Sequence, residues 1–125
     1  MTYKGIEVTH HEDLKIVELH VKESDIHDDV SYVEKIVIFI ELVHYIKPKY
    51  IVFNKLDTDF DIQPHLHEFT LKNVLPELRY AGVRKSYFLI KGELNEKKPY
   101  YKDWLITPFN HWDEITEDII NQSKT

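Results

Sequence analysis

The sequence predicts an α/β domain built on a mixed sheet of about five strands, the central ones parallel, with helices packed mainly on one face. Three observations carry this. Short apolar runs rich in Val, Ile, Tyr and Phe alternate with longer segments whose apolar residues recur at helical spacing, and that alternation implies parallel strands joined through helices. The first two runs adjoin through a short polar cluster, which implies a hairpin. The 125 residues, of which 42% are hydrophobic and 30% charged, have a globular composition, and no repeat, Gly/Ser-rich linker or composition shift divides them, so a single domain spans 1–125.

The elements follow in order. Gly5 to Thr9 and Leu14 to Val21 read as strands, with His10-His11-Glu12-Asp13 turning between them and Val17, Leu19 and Val21 sharing one face. Residues 31–46 read as a helix: Ser31 followed by Glu34 makes a capping box, and Val33, Ile36, Val37, Ile40, Val43 and His44 keep helical spacing until Pro48 ends it. The β-branched run Ile36 to Ile40 supports a rival strand, but length and cap favour the helix. Its polar face is narrow, so Ile38, Phe39 and Leu42 are expected to meet a further apolar surface, in a homodimer or a partner.

Tyr50-Ile51-Val52-Phe53 reads as a buried strand, and the polar segment Asn54 to Gln63 as a loop into a second helix. Pro64 suits its first turn, Asp61 or Gln63 its cap, Pro76 is expected to kink it and Gly82 to stop it. Ser86 to Ile90 and a short segment around Trp104-Leu105-Ile106 complete the strands. A last helix is expected from about Asn110 to Ile120, with Trp112, Ile115, Ile119 and Ile120 inward.

Charge and composition exclude several functions. With 22 acidic against 16 basic residues, a net charge of −6 disfavours general attraction to nucleic acid or anionic membrane, so neither is expected as a partner. Zero Cys excludes disulfides, thiol catalysis and thiolate zinc sites. The opening residues lack the apolar core of a secretory signal, and the longest aliphatic or aromatic run, Ile36 to Ile40, is too short for a bilayer, which makes cytoplasmic the expected location. Three Gly and no G-x-S-x-G or Gly-rich phosphate loop leave nucleotide and serine-hydrolase readings unsupported. No motif fixes a reaction, and no cofactor is expected.

The element order, the helix ending in Lys47-Pro48-Lys49 directly before an apolar strand, and the kinked helix running through Pro76 to Gly82-Val83-Arg84-Lys85 together resemble small bacterial STAS-like proteins. These are relatives of anti-sigma-factor antagonists, with the CRAL-TRIO fold similar. The likeness spans nearly the whole chain but rests on turn and packing features. It implies a non-enzymatic binding or regulatory module. It also implies a phosphorylatable Ser at the start of the helix after the third strand, where this chain offers only Thr58, flanked by Asp57 and Asp59, so that a phosphate there would meet like charge. A lipid-carrier role, implied by the CRAL-TRIO likeness, is opposed by size.

The stretch Asn54 to Glu68 holds the candidate site, where Asp57, Thr58, Asp59, Asp61 and His65 are expected to bind a ligand or partner. Asp57, Asp59 and Asp61 alternate, and Glu68 stands where a calcium loop places its twelfth ligand, but Ile62 occupies the position that demands Gly. The simpler reading has the three acids stabilising the exposed N–H groups of the following helix. His65 and His67 would face opposite sides of a helix, so a shared ion is not expected and no metal is assigned. The alternative function is a small metal-dependent protein or enzyme using Asp57, Asp59, Asp61 and His65. Tyr100, Tyr101, Trp104, Phe109 and Trp112 gather late in the chain, as core and rim or as a pocket.

Overall fold

A computed structural model of the chain describes residues 2–3, 6–22, 28–57, 64–90 and 106–123. The strands are β1 (Thr2–Tyr3), β2 (Ile6–His11), β3 (Ile16–Lys22), β4 (Tyr50–Asp57), β5 (Lys85–Leu89) and β6 (Ile106–Phe109). The helices are α1 (Asp29–Ile46), α2 (Pro64–Phe69), α3 (Leu75–Tyr80) and α4 (Trp112–Ser123), with a π-helical segment, Thr70–Val74, joining α2 to α3. The fold is α/β, and the sheet runs β1-β2-β3-β4-β5-β6 in sequence order. β1, β2 and β3 pair antiparallel, and β3 to β6 pair parallel. Among the described residues no helix is long and apolar enough to cross a membrane.

Alternation along the strands divides the sheet into two faces. Val17, Leu19, Ile51, Phe53 and Phe88 point to the side covered by α1 and by the helical run from α2 to α3, around a core that includes Phe39, Leu66, Val74 and Leu78. Parallel steps that advance one strand at a time with one crossover hand place successive helices on the same face. Ile16, Tyr50, Val52, Tyr87 and Leu89 point to the other side, where α4 seals them with Ile115 and Ile119. Phe53 stands between Phe39 and Phe88, with ring centroids 5.5 Å away on each side.

Helix α1 starts earlier than its sequence pattern suggests. Asp28 is the N-cap and accepts the Ser31 N–H at 2.8 Å, while the Ser31 hydroxyl returns to the Asp28 backbone, so the capping box is Asp28 with Ser31 and not Ser31 with Glu34. Lys47 closes the helix in the left-handed region at φ 56°, its N–H on the Val43 carbonyl at 2.8 Å. The expectation of a partner surface at Ile38, Phe39 and Leu42 is corrected by burial. Phe39 is 0% and Leu42 2% exposed, both facing the sheet, and Ile38 is partly buried against the same core. The apolar residues that α1 leaves outside are Val30, Val37 and Tyr45.

Pro76, expected to kink the second helix, stands at the start of α3, directly after a π-helical interruption. Its ring has no N–H and would collide with the carbonyl four residues back in a regular helix. The chain widens upstream instead, and the Leu75 N–H reaches back five residues to the Thr70 carbonyl. Thr70 is buried at the widened turn, where its hydroxyl donates to the Leu66 carbonyl at 2.9 Å and meets the Tyr32 hydroxyl at 2.6 Å. Burial pushes the Tyr32 phenol above its ordinary value, against the pull of Thr70.

Other differences concern boundaries. The first hairpin turns at 12–15, with Lys15 left-handed at φ 58°, so His10 and His11 belong to β2. The two-residue β1 was not expected; β6 begins at Ile106, later than its predicted centre. Ile120, expected inward, is 43% exposed, because α4 turns Ile115 and Ile119 to the sheet.

Candidate functional site

Helix α4 covers only part of its face of the sheet. Toward β2 and β3 the same face is polar, because alternation there sets out Glu7, Thr9 and His11 on one strand and Glu18, His20 and Lys22 on the next. The registers place Thr9 beside Glu18, and His20 beside both Glu7 and Asn54 of β4.

Glu18 lies at the centre and is 3% exposed. A buried carboxylate is costly unless polar groups replace its water, and here two side chains hydrogen-bond it while a third imidazole stands nearby. His11 Nε2 stands 2.9 Å from Glu18 Oε1, Asn54 Nδ2 donates to Oε2 at 2.8 Å, and His20 Nε2 lies 3.5 Å from Oε1. His20 Nε2 also meets Thr9 Oγ1 at 2.9 Å. The His11 ring rests on Trp112 of α4, centroids 5.0 Å apart and planes 55° inclined. The His11 and His20 side chains keep 36% and 27% of their surface, so the acid is hidden while both imidazoles remain reachable. An open surface hollow lined by His10, His11, Glu12, Asp13 and Leu14 adjoins the cluster.

This arrangement constrains the chemistry. A hydroxyl–imidazole–carboxylate relay uses the two ring nitrogens separately, one for the nucleophile and one for the acid. Here Thr9 and Glu18 both approach Nε2 of His20. In this arrangement one ring nitrogen faces both groups, which is not the geometry of such a relay.

A second cluster ties β5 to α4. Lys85 Nζ, the Tyr87 hydroxyl and Gln122 Nε2 all donate to Asp118 Oδ2, at 2.9, 2.7 and 2.7 Å. Burial alone would raise the Asp118 carboxyl, but the hydrogen bonds from Tyr87 and Lys85 outweigh it and hold the group below its ordinary value. Tyr87 moves the other way, strongly upward, first because it is desolvated and then because its proton is held by Asp118.

The residues expected from sequence are less fully placed. Asp57 ends β4, with its side chain outside the described residues, as are Thr58, Asp59 and Asp61. His65 is exposed near the start of α2, and its Nε2 lies 2.6 Å from Asp29 Oδ2 at the start of α1. Glu68, the twelfth position of the calcium pattern, pairs with Lys72 one turn along at 2.6 Å. Among the described residues no three His, Asp or Glu side chains form a group that could hold a metal ion. Of the late aromatics, Phe109 stacks on Tyr87 with centroids 6.2 Å apart, and Trp112 backs His11; Tyr100, Tyr101 and Trp104 lie outside the described residues.

Sequence reading missed Glu18, His11, His20, Thr9 and Asn54. The signal was the period-two pattern Ile16-x-Glu18-x-His20, a carboxylate and an imidazole on a strand whose other face is wholly apolar. No family model matches the chain, and neither the curated proteins nor the solved structures contain a match to it.

Proposed function

We propose that this chain is a non-enzymatic binding or regulatory domain of STAS-like design. The observation that carries the reading is Glu18, a carboxylate 3% exposed that lies against two partly exposed imidazoles on a flank of the sheet beside α4. Rigidly oriented donors and acceptors on a stable sheet are what recognition of a polar ligand needs. The shared use of one His20 nitrogen by Thr9 and Glu18 supports binding over a nucleophilic relay. The acidic stretch Asp57, Thr58, Asp59 and Asp61 belongs to the same proposal. It begins three residues after Asn54, at the carboxyl end of a parallel strand, where open α/β sheets gather their ligands.

A thermal-shift screen of small carboxylates, phosphates and amines tests the reading. Wild type is expected to gain melting temperature with one of these classes, and a His11→Ala/His20→Ala variant to gain none. Wild type that gains nothing from any class, or a double variant that responds equally, overturns it. Calorimetry with calcium, magnesium and zinc separates the alternative, a metal-dependent protein using Asp57, Asp59, Asp61 and His65, because only that reading expects heat from the metal alone.

A further inference from the structure

The amino-terminal edge of the parallel strands has a different character from the rest of this acidic molecule. Lys15, Lys49 and Arg84 immediately precede β3, β4 and β5, whose first residues are in register as Ile16, Tyr50 and Lys85. Their backbones join directly: the Lys49 N–H donates to the Lys15 carbonyl at 2.9 Å, and the Arg84 N–H to the Lys49 carbonyl at 2.7 Å. Three cations therefore stand in one row across three neighbouring strands, separated by about 4.8 Å per strand. Lys15 and Arg84 are exposed and Lys49 is half-buried. The Lys15 side chain, and after it Arg84, push the Lys49 ammonium below its ordinary value, as crowded like charges must.

Like charges side by side on a sheet destabilise it. Three other described lysines meet carboxylates: Lys22 meets Glu7, Lys72 meets Glu68, and Lys85, next to Arg84, meets Asp118. Among the described residues no carboxylate pairs with Lys15, Lys47, Lys49, Arg79 or Arg84. Lys15 and Lys47 are also the two non-glycine residues held at positive φ among the described residues. A small recess of about 70 Å³ between α3 and β5 has Arg79, Arg84 and Lys85 in its lining together with Leu75, Leu78 and Val83. Beside this edge, Tyr45 and Tyr80 are 85% and 86% exposed, and the His44 ring, 6.3 Å from that of Tyr80, brings the ends of α1 and α3 together.

We infer that this edge is a docking surface for an acidic segment of a partner protein, whose carboxylates lie along Lys15, Lys49 and Arg84 and enter the recess between Arg79 and Arg84. The recess has room for a carboxylate on its methylene stem, and its lining offers both cations and apolar carbons. Exposed Tyr and Arg are the side chains that protein interfaces favour. The net charge of −6 argues against an extended polyanion such as a nucleic acid or an anionic bilayer, which would feel the field of the whole molecule.

Fluorescence anisotropy with a short labelled peptide rich in Glu and Asp tests this, beside a single-stranded oligonucleotide of equal charge and anionic phosphatidylserine vesicles. The peptide is expected to bind at low salt and to weaken as salt rises. Lys49→Gln/Arg84→Gln is expected to weaken it at least about tenfold, and Lys72→Gln, whose lysine is outside the row and paired with Glu68, to leave it unchanged. Lys49→Gln alone is expected to lower binding while raising the melting temperature, a pairing that a purely structural lysine would not show. No peptide binding at low salt, equal binding by the double variant, or tighter binding of the oligonucleotide or the vesicles overturns the inference.

Discussion

His11 Nε2 and Glu18 Oε1 lie 2.9 Å apart, joined diagonally across the antiparallel pair β2 and β3. This one bond converts an acid on a strand interior from a liability into a support. A carboxylate only accepts, so it sets which ring nitrogen of His11 carries the hydrogen, and Trp112 sets the plane of the ring. Glu18→Ala removes the acceptor and leaves His11, His20 and Asn54 without their shared partner. The expected cost is about 2–4 kcal/mol in urea unfolding, and less for Glu18→Gln, which keeps the shape and one acceptor. A cost near zero for Glu18→Ala would show that the cluster supports nothing.

The Asp118 cluster predicts a pH dependence. Its folded-state carboxyl titrates below the unfolded-state value, so its contribution is complete above the unfolded value and is lost as pH falls through the lower folded one. Asp118→Asn is expected to cost about 1–2 kcal/mol at neutral pH. The gap between variant and wild type should close as pH drops through that acid range, read from denaturation midpoints across pH. A gap that stays constant would contradict the assignment.

Lys47 holds the left-handed position that ends α1, where glycine is favoured. Lys47→Gly is expected to raise stability by about 0.5–1 kcal/mol, since a side chain at φ 56° is strained and Gly is not. Lower stability, measured by thermal unfolding, would mean that the lysine stem contributes contacts larger than the strain.

Two residues of one helix separate core from surface. Phe39→Ala is expected to cost about 3–5 kcal/mol, because Phe53 and the sheet cannot collapse into the space left. Val37→Ala, at 54% exposure, is expected to stay within about 0.5 kcal/mol of wild type. Chemical denaturation of the pair decides whether α1 presents Phe39 inward, and equal effects would contradict the packing described.

Much of the architecture was legible because it follows local rules. Apolar period two in Val17, Leu19, Ile51 and Phe53, helical spacing through Ile36 and Val43, and the punctuation of Pro48, Pro76 and Gly82 each act on the chain where they occur. The cap of α1 was read one box too late, since Ser31 serves equally well as N-cap or as N3 in a sequence pattern, and only Asp28 beside it selects the second. The partner surface on α1 was misread because a broad apolar helix does not say which of its sides meets a sheet. His11 was hidden inside an expected turn that lies two residues further on.

The succession of strands and helices along the chain from β2 onward, the parallel centre of the sheet and the absence of a signature for any one reaction were properties of the sequence by itself, because periodicity and turn chemistry act over a few residues; the order of strands within the sheet was not. The meeting of His11, Glu18, His20 and Asn54, and the row of Lys15, Lys49 and Arg84, belonged to tertiary structure alone. Each unites side chains from different strands, and which residues become neighbours across a sheet depends on a register that no single strand encodes.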